Sequence, residues 1–206
     1  MTNLSQDKNQ MLQECIRFHG HFCPGLAIGF KAAGELMRIL QVERDGDEEL
    51  FAIVETDACG ADAIQIITGC TFGKGNFFFR DYGKHAFTLG SRKQNKAVRG
   101  CLQSTREIFD SDFVSLFKVM QSKSATAQER SKFFQLREKV ARRIIDMEID
   151  KLFTMRDVAI EFPPRAPVVL SEVCPKCNEP VRFDYLQDFN GTLLCPSCMK
   201  TSLNKD

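Results

Sequence analysis

Two Cys-x-x-Cys pairs near the C-terminal end constrain the fold of this chain more than any other sequence feature. The first pair is Cys174 and Cys177, the second is Cys195 and Cys198, and 17 residues separate the pairs. Each pair can direct two thiolates at one ion, and a hairpin between the pairs completes a tetrahedral site of four sulfur ligands. So short a segment buries little apolar surface, so metal binding must supply most of its folding free energy. The spacing predicts a structural zinc module of the zinc-ribbon type.

Two other interpretations of these cysteines are a pair of redox-active dithiols and a rubredoxin-like iron site. A redox function would not require a matched second pair, and the total of nine cysteines is odd. A rubredoxin-like site usually has a glycine after each pair, whereas Asn178 and Met199 stand at these positions. Zinc is therefore the predicted ion.

The charge of the module bears on its binding partner. Residues 174–206 carry four basic and four acidic side chains, whereas a surface that binds phosphates is rich in lysine and arginine. We therefore expect a structural clip or a protein contact and do not expect nucleic acid as a partner. A regulatory zinc finger that binds nucleic acid is a further alternative, and salt-dependent binding of DNA or RNA would support it.

The composition is that of a soluble globular protein with room for one medium domain before the module. Of the 206 residues, 43% are hydrophobic and 27% are charged. The proline-rich segment 162–167 predicts a linker, so we expect a core domain over residues 1–162 and the zinc module over residues 168–206. The net charge of +1 and the polar residues 1–10, which lack a signal-peptide core, indicate a cytoplasmic protein without membrane contact.

Apolar periodicity predicts an α+β core. Ser5 is expected to cap a first helix that ends near Phe18, and Pro24 to begin a second helix that ends near Leu40. The other predicted elements are a short helix at 61–68, helices at 105–120 and 127–151, and strands at 50–55, 76–80, 86–89 and 97–102. Because the polar turn 91–96 joins two of the strands as a hairpin, the sheet is expected to be antiparallel.

Two helix surfaces in this scheme require a packing partner. Gly25, Gly29 and Ala33 form a stripe of small residues on the second helix, and this spacing indicates close packing against a neighbour. The predicted helix at 127–151 carries a wide apolar face. Such a face needs either the core of the domain or a second subunit to cover it.

A histidine and cysteine motif lies between the first two helices. His19, His21 and Cys23 alternate, so an extended backbone would direct all three side chains to one side. Imidazole and thiolate are ligands suited to zinc, iron, nickel or copper. Cys23 also precedes the helix that begins at Pro24, and a helix N-terminus favours the thiolate. The motif therefore predicts a metal ligand set or a nucleophile, although a capping turn with a buried cysteine is the plainer alternative.

A second polar group lies where a predicted strand ends and a helix begins. Asp57, Cys59 and Asp62 share this segment, so their side chains are expected to face outward together. Asp57 is equally well explained as a helix cap. Cys59 and Asp62 add a possible metal ligand and a possible acid or base.

The glycine-rich segment 69–76 does not meet the requirements of a phosphate-binding loop. The Walker pattern needs glycine at position 68 and serine or threonine at position 75, where Thr68 and Gly75 stand. The glycines instead favour a turn that passes close to a ligand or a subunit. Within this segment, Lys74 is either an anion contact or a solvated side chain.

Taken together, these motifs resemble the family of proteins similar to the E subunit of formylmethanofuran dehydrogenase. The resemblance covers roughly residues 10–160. It is carried by His-Gly-His-Phe-Cys-Pro-Gly at 19–25, Thr-Asp-x-Cys-x-x-Asp-Ala-Ile-Gln at 56–65, Thr-Gly-Cys-Thr-x-Gly-Lys-Gly-Asn at 68–76, and Asp-Tyr-Gly-Lys at 81–84. It implies an α+β core that forms a homodimer, with an appended C-terminal zinc finger of treble-clef type in some members.

The resemblance also implies a second metal site, in the core, for a transition metal of unidentified kind. Its implied ligands are His19, His21, Cys23 and Cys59. The neighbouring positions implied for cofactor binding are Asp57, Cys70 and Lys74, with Asp62 beside them.

These patterns lead to two main hypotheses of function. In the first, the chain is a metal-binding protein accessory to a molybdenum or tungsten oxidoreductase of one-carbon metabolism, as in methanogenesis, with oxidoreductase subunits as partners. In the second, it is a stand-alone metalloenzyme or thiol enzyme with Cys23, Cys59 and Asp62 as catalytic residues.

Overall fold

The structure, a computed structural model, describes residues 4–103, 107–122 and 125–203, with the side chains of residues 4–7 excepted. The chain divides into two compact units, one ending at Arg165 and the other beginning at Ala166. Each unit has hydrophobic clusters of its own.

The first unit combines helices with one sheet. Its elements, in chain order, are α1 (Leu4–His19), α2 (Pro24–Leu40), β1 (Leu50–Val54), α3 (Gly60–Thr68), β2 (Phe77–Phe79), β3 (Ala86–Ser91), β4 (Lys96–Leu102), α4 (Ser111–Gln121), α5 (Ala127–Asp146), α6 (Ile149–Leu152) and β5 (Phe153–Asp157). A short 3-10 helix, Phe72–Lys74, lies between α3 and β2. The α+β class predicted from the sequence is thereby confirmed.

The five strands form one mixed sheet in the order β2-β1-β3-β4-β5. All neighbouring pairs are antiparallel except β1 and β2, which run parallel, with Ile53 opposite Phe78. The predicted antiparallel pairing is therefore confirmed for three of the four strand pairs, and the pair at one edge is parallel. The parallel pair arises because β1 and β2 are joined by a crossover that contains α3, and no tight hairpin links them.

Helix α2 occupies the centre of the core because most of its surface is apolar. Pro24 stands at its first position, Leu26, Phe30 and Leu36 are buried, and Gln41 ends it in a left-handed conformation. Its packing partners are α3, α5 and the strands β3 and β4. The N-terminus of α2 is thus held in a fixed place relative to α3.

The small-residue stripe on α2 packs as predicted. A Cβ atom on Gly29 would overlap the backbone of Gly60, and a Cβ atom on Gly25 would lie 3.1 Å from Cβ of Cys59. Only glycine permits this approach of two helix backbones. The contact brings the first residues of α2 and α3 side by side.

Several predicted boundaries differ from the structure. Helix α1 already includes Leu4, so position 5 lies inside the helix and not at the predicted cap position before it. The start predicted near Thr105 lies outside the described residues. Helix α4 itself begins only at Ser111, because the Asp110 side chain accepts the Phe113 N–H as an N-cap. The helix predicted to extend to Lys151 is interrupted after Asp146.

The second unit is built of short elements around its cysteines. They are β6 (Ser171–Val173), β7 (Pro180–Arg182), a 3-10 helix (Phe183–Tyr185), β8 (Gln187–Phe189), β9 (Thr192–Leu194) and α7 (Pro196–Leu203). Over the described residues 166–203, the hydrophobic cluster of this unit contains four buried residues, of which three are cysteines and the fourth is Leu194. A core this small agrees with a module that requires an ion to fold.

In the part of the chain that the structure describes, no helix is both long enough and apolar enough to cross a membrane.

Candidate metal centre

Four potential metal ligands meet in the first unit. His19, His21, Cys23 and Cys59 each offer one donor atom, and these atoms all lie within 4.8 Å of one another. His19 is the last residue of α1, and Gly20 follows it with φ +90°, a left-handed turn that glycine adopts without strain. Cys59 comes from the segment before α3, 36 positions after Cys23. The helix packing, not the sequence spacing, therefore joins this fourth donor to the motif.

A carboxylate fixes the orientation of His19. Its Nδ1 atom donates to Oδ2 of Asp62 at 2.7 Å, and its Nε2 atom lies 3.8 Å from Sγ of Cys23. A proton held on Nδ1 by a carboxylate leaves the Nε2 lone pair free for a metal, an arrangement common around zinc. Asp62 therefore acts in this structure through His19, while the acid or base role predicted for it stays a prediction.

Cys23 is placed to be a thiolate. It is the N-cap of α2, and its sulfur accepts the Leu26 N–H at 3.4 Å. The pKa of Cys23 is lowered to about 6, first by a hydrogen bond from the Cys59 thiol and then by backbone N–H groups, although burial opposes the shift. The same hydrogen bond and burial raise the pKa of Cys59. The pair thus holds a thiolate beside a thiol that an ion could deprotonate.

His21 completes the group as a neutral imidazole. Its ring centroid lies 4.4 Å from that of His19. Burial lowers the pKa of His21, and the charges of Arg137 and His19 lower it further. The neutral ring is the form that binds a metal.

The distances between donors agree with those around zinc. Typical Zn–S and Zn–N bonds in a tetrahedral site place a sulfur and a nitrogen about 3.6 Å apart and two sulfurs about 3.8 Å apart. The His19–Cys23 separation is 3.8 Å. Two imidazoles and two thiolates also form a ligand set that zinc readily accepts. The residues present therefore fit an ion of zinc type.

The second unit contains the other donor group. Its four cysteine sulfurs, from residues 174, 177, 195 and 198, also lie within 4.8 Å of one another, and Cys177 Sγ is 3.8 Å from Cys195 Sγ. The pKa of Cys174 is lowered to about 6, first by the Cys195 N–H, which its sulfur accepts at 3.4 Å. This cluster fits a small zinc-binding module. Because Cys198 lies in α7, the module is not built of strands alone.

Three residues predicted near the core site lie elsewhere or have other partners. Asp57 is exposed in the segment between β1 and α3 and does not cap α3. Cys70 is fully buried, and burial raises its pKa to about 12. Lys74 binds Oδ2 of Asp45 at 3.4 Å and the Asp47 carbonyl oxygen at 2.7 Å. The structure does not bring Cys70 or Lys74 into the donor group, and their predicted cofactor contacts stay predictions.

A cavity of about 520 Å³ opens beside the core donors. His21, Cys23 and Cys59 line one part of it. The remaining walls come from the start of α2 and from α4, α5 and the residues before α4, namely Pro24, Gly25, Phe109, Phe113, Val114, Phe117, Phe133 and Arg137. Neither Arg137 nor the phenylalanines of the cavity were predicted as site residues, and their only signal in the sequence is the wide apolar face predicted for residues 127–151.

The fold and the donor groups together define a metal-binding α+β protein with an appended cysteine module. The sequence profile of the family described as "FmdE, Molybdenum formylmethanofuran dehydrogenase operon" matches residues 18–154. The chain belongs to this FmdE family.

Two similar proteins extend the comparison. A "Probable S-adenosyl-L-methionine-binding protein" of Archaeoglobus fulgidus is 30% identical over 177 residues, which are 82% of this chain and 48% of the relative. The chain thus spans about half the length of this curated relative. A solved structure, that of an FmdE-like protein of tungsten formylmethanofuran dehydrogenase type from Syntrophus aciditrophicus, matches with a TM-score of 0.59 and 24% identity. The match covers 95% of this chain and 93% of that one, and it supports the fold.

Proposed function

We propose that the first unit binds one transition-metal ion through His19, His21, Cys23 and Cys59, and that the protein is a metal-binding subunit of, or accessory to, a formylmethanofuran dehydrogenase-type oxidoreductase. The observation that carries the metal site is the convergence of four donor atoms within 4.8 Å. The description of the family, which names a molybdenum formylmethanofuran dehydrogenase operon, supports the oxidoreductase partner. The proposal includes a structural zinc ion in the cysteine module, a homodimer and a cytoplasmic location.

Several residues around the core donors each favour the binding of an ion in a different way. Asp62 accepts a hydrogen bond from Nδ1 of His19 and so orients the ring with Nε2 toward Cys23. The N-terminus of α2 stabilises the Cys23 thiolate through the Leu26 N–H. An ion of zinc type would supply Lewis acidity beside the cavity. The phenylalanines give the cavity beside the donors a largely apolar lining.

Metal content per chain tests the two donor groups separately. We expect the full-length protein to hold two ions, one for each group, and Cys59→Ser and Cys198→Ser each to hold one, as measured by elemental analysis. Cys101→Ser is the matched control, because Cys101 is half-buried and belongs to neither group. If Cys59→Ser keeps both ions, the core metal site is wrong.

The oxidoreductase partner requires a different experiment. The chain, tagged at its chromosomal locus, is purified under native conditions from the organism that encodes it, and the co-purifying proteins are identified by mass spectrometry. We expect subunits of a molybdenum or tungsten oxidoreductase. Recovery of the metal-loaded protein free of any such subunit, from cells that express the oxidoreductase, would contradict the accessory function.

A stand-alone metalloenzyme or thiol enzyme is the second candidate, because the cavity reaches Cys23 and Cys59. In this case the two thiols and Asp62 would be the catalytic residues. Alkylation of metal-free protein with iodoacetamide, mapped by mass spectrometry, tests access to the thiols. We expect modification at Cys23 or Cys59 and none at the fully buried Cys15 and Cys70. Protection of all four thiols would count against this candidate.

S-adenosyl-L-methionine is a candidate ligand for either function. The support is the printed name of the Archaeoglobus fulgidus relative and its 30% identity to this chain. Calorimetric titration of both proteins tests the idea under identical conditions. If the relative binds S-adenosyl-L-methionine and this chain does not, the half of the relative that this chain lacks carries that activity.

A further inference from the structure

The cavity beside the core donors has an unusually one-sided chemistry. Away from the donors and Arg137, its walls are mostly phenylalanine and valine, with Phe113 and Phe133 buried and Phe117 and Val114 partly exposed. Its volume, about 520 Å³, falls in the range of sites that hold small organic molecules. Walls of this kind favour an apolar or aromatic molecule.

Arg137 supplies positive charge to this cavity. No carboxylate is among the described residues that line it. The Nε atom of Arg137 is buried and has no hydrogen-bond partner among the described residues, and its guanidinium lies 4.9 Å from the centroid of the Phe134 ring. A buried donor without a partner is costly, so an acceptor that reached it would be bound favourably. A guanidinium engages carboxylates through paired hydrogen bonds.

We propose that the cavity binds a small, largely apolar carboxylate, with its anionic group on Arg137 and its apolar body among the phenylalanines, beside the core metal. Both features are needed for selectivity. The phenylalanines give affinity for the apolar body, and Arg137 makes a carboxylate bind more tightly than a neutral or cationic ligand of the same shape. This inference deepens the proposed function and rests on it for the metal. The contact with Arg137 does not depend on the metal.

The test uses three probes that differ in one group: 3-phenylpropionate, its amide and 3-phenylpropylamine. Calorimetric titration of the full-length, metal-loaded protein measures their affinities. We expect the carboxylate to bind about tenfold or more tightly than the amide, because a hydrogen bond to a charged group contributes more than one between neutral groups. The amine is expected to bind most weakly. Equal affinities for the carboxylate and the amide would overturn the proposal.

Variants locate the contact. Arg137→Met is expected to lower the affinity for 3-phenylpropionate about tenfold and leave the amide unchanged, whereas Arg137→Lys keeps part of the preference for the anion. Lys139→Met is the matched control, because Lys139 is an exposed cation on the same helix and does not line this cavity. Val114→Trp is expected to weaken all probes by filling the cavity. Unchanged binding of the carboxylate by Arg137→Met would contradict the proposal.

Metal content, measured on the same samples, separates this inference from the proposed function. A protein that holds its core metal and binds none of the probes overturns the carboxylate site alone. If the protein forms a dimer whose second subunit covers the phenylalanines, so that none of the three probes can bind, the carboxylate site is overturned as well. If Cys59→Ser keeps its core ion, the metal site fails, and the comparison of Arg137→Met with wild type still decides the carboxylate contact.

Discussion

Single residues that bind no ion themselves set the properties of the core donor group. Asp62 accepts a hydrogen bond from Nδ1 of His19 at 2.7 Å, and this contact orients the ring so that Nε2 faces the other donors. Loss of such a carboxylate typically lowers metal affinity about 10- to 100-fold. The sequence predicted that Asp62 lies near this site, and the structure shows that it is bonded to His19 there.

We therefore expect Asp62→Ala to bind the core metal about 10- to 100-fold more weakly than the wild type while the fold is retained. Competition with a chromogenic chelator measures this change. Asp57→Ala is the control, because Asp57 is an exposed carboxylate of the same segment. Wild-type affinity in Asp62→Ala would show that the contact with His19 does not orient the ligand.

A second residue-scale feature is the ion pair between Glu55 and Arg99. The Arg99 Nε and Nη2 atoms donate to the two carboxylate oxygens of Glu55 at 2.6 and 2.8 Å. Both side chains are largely buried. The hydrogen bonds from Arg99 lower the pKa of Glu55 in the folded protein below its ordinary 4.5. The unfolded state therefore binds more protons at this residue, and the pair stabilises the fold above pH 4.5 but loses this effect as pH falls through the lowered pKa.

We expect Glu55→Gln to lower the free energy of unfolding by about 3 kcal/mol at neutral pH, because it leaves a largely buried arginine without its anion. The difference between variant and wild type should shrink as the pH falls below 4.5, because Glu55 then takes up a proton in the unfolded wild type before it does so in the folded protein. Urea titrations at several pH values measure both effects. A difference that is independent of pH would contradict this account.

At the scale of elements, the contact between α2 and α3 decides where the donors lie. Cys23 caps α2 and Cys59 precedes α3, so the separation of these helix starts sets the separation of the two sulfurs. Gly29 and Gly60 allow that separation to be short. A side chain at Gly29 would push the helices apart.

Gly29→Ala is expected to destabilise the protein by about 3 kcal/mol, the upper end of a typical overpacking cost, and to weaken core metal binding. Gly34→Ala, on the same helix, meets no atom within 4 Å. It should stabilise the protein by up to about 1 kcal/mol, because alanine is the better helix former. Thermal unfolding and metal content measure the two variants. Equal stabilities would show that α2 and α3 do not depend on this contact.

The elements also show what local sequence signals can specify. Helix α2 was predicted with its observed limits, because Pro24 and the apolar repeat are local signals. The start of α4 was misplaced because the cap at Asp110 was not recognised. Strand β5 was missed because it is short, mostly exposed, and held by pairing with β4, more than 50 positions earlier in the chain.

At the scale of the whole molecule, the two units have separate hydrophobic clusters and separate donor groups. In the second unit, cysteines supply most of the buried residues, so the proposed zinc ion would replace the missing apolar core. The first unit has a large core that includes α2, α3 and the sheet. Loss of metal should therefore unfold the units to different extents.

We expect Cys198→Ser to abolish the dispersion of amide resonances from residues 171–203 and to leave those of the core dispersed, as recorded by two-dimensional ¹H–¹⁵N spectra. The reason is that ion binding would supply the folding free energy of the module, whereas burial of apolar surface supplies that of the core. Cys59→Ser is the reciprocal variant and should keep the module spectrum. A folded module in Cys198→Ser without metal would contradict the prediction.

The sequence by itself determined the α+β class, the limits of α2, the four-cysteine module and three of the core donors, because each depends on local spacing or on periodicity. Tertiary structure decided the rest. The packing of Gly29 on Gly60 brought Cys59 to His19, His21 and Cys23, and the fold of α5 over the start of α2 placed Arg137 and Phe133 beside them. These contacts join residues distant along the chain; the small-residue stripe on α2 indicated that a neighbour packs closely there, but no local pattern specifies which element that neighbour is.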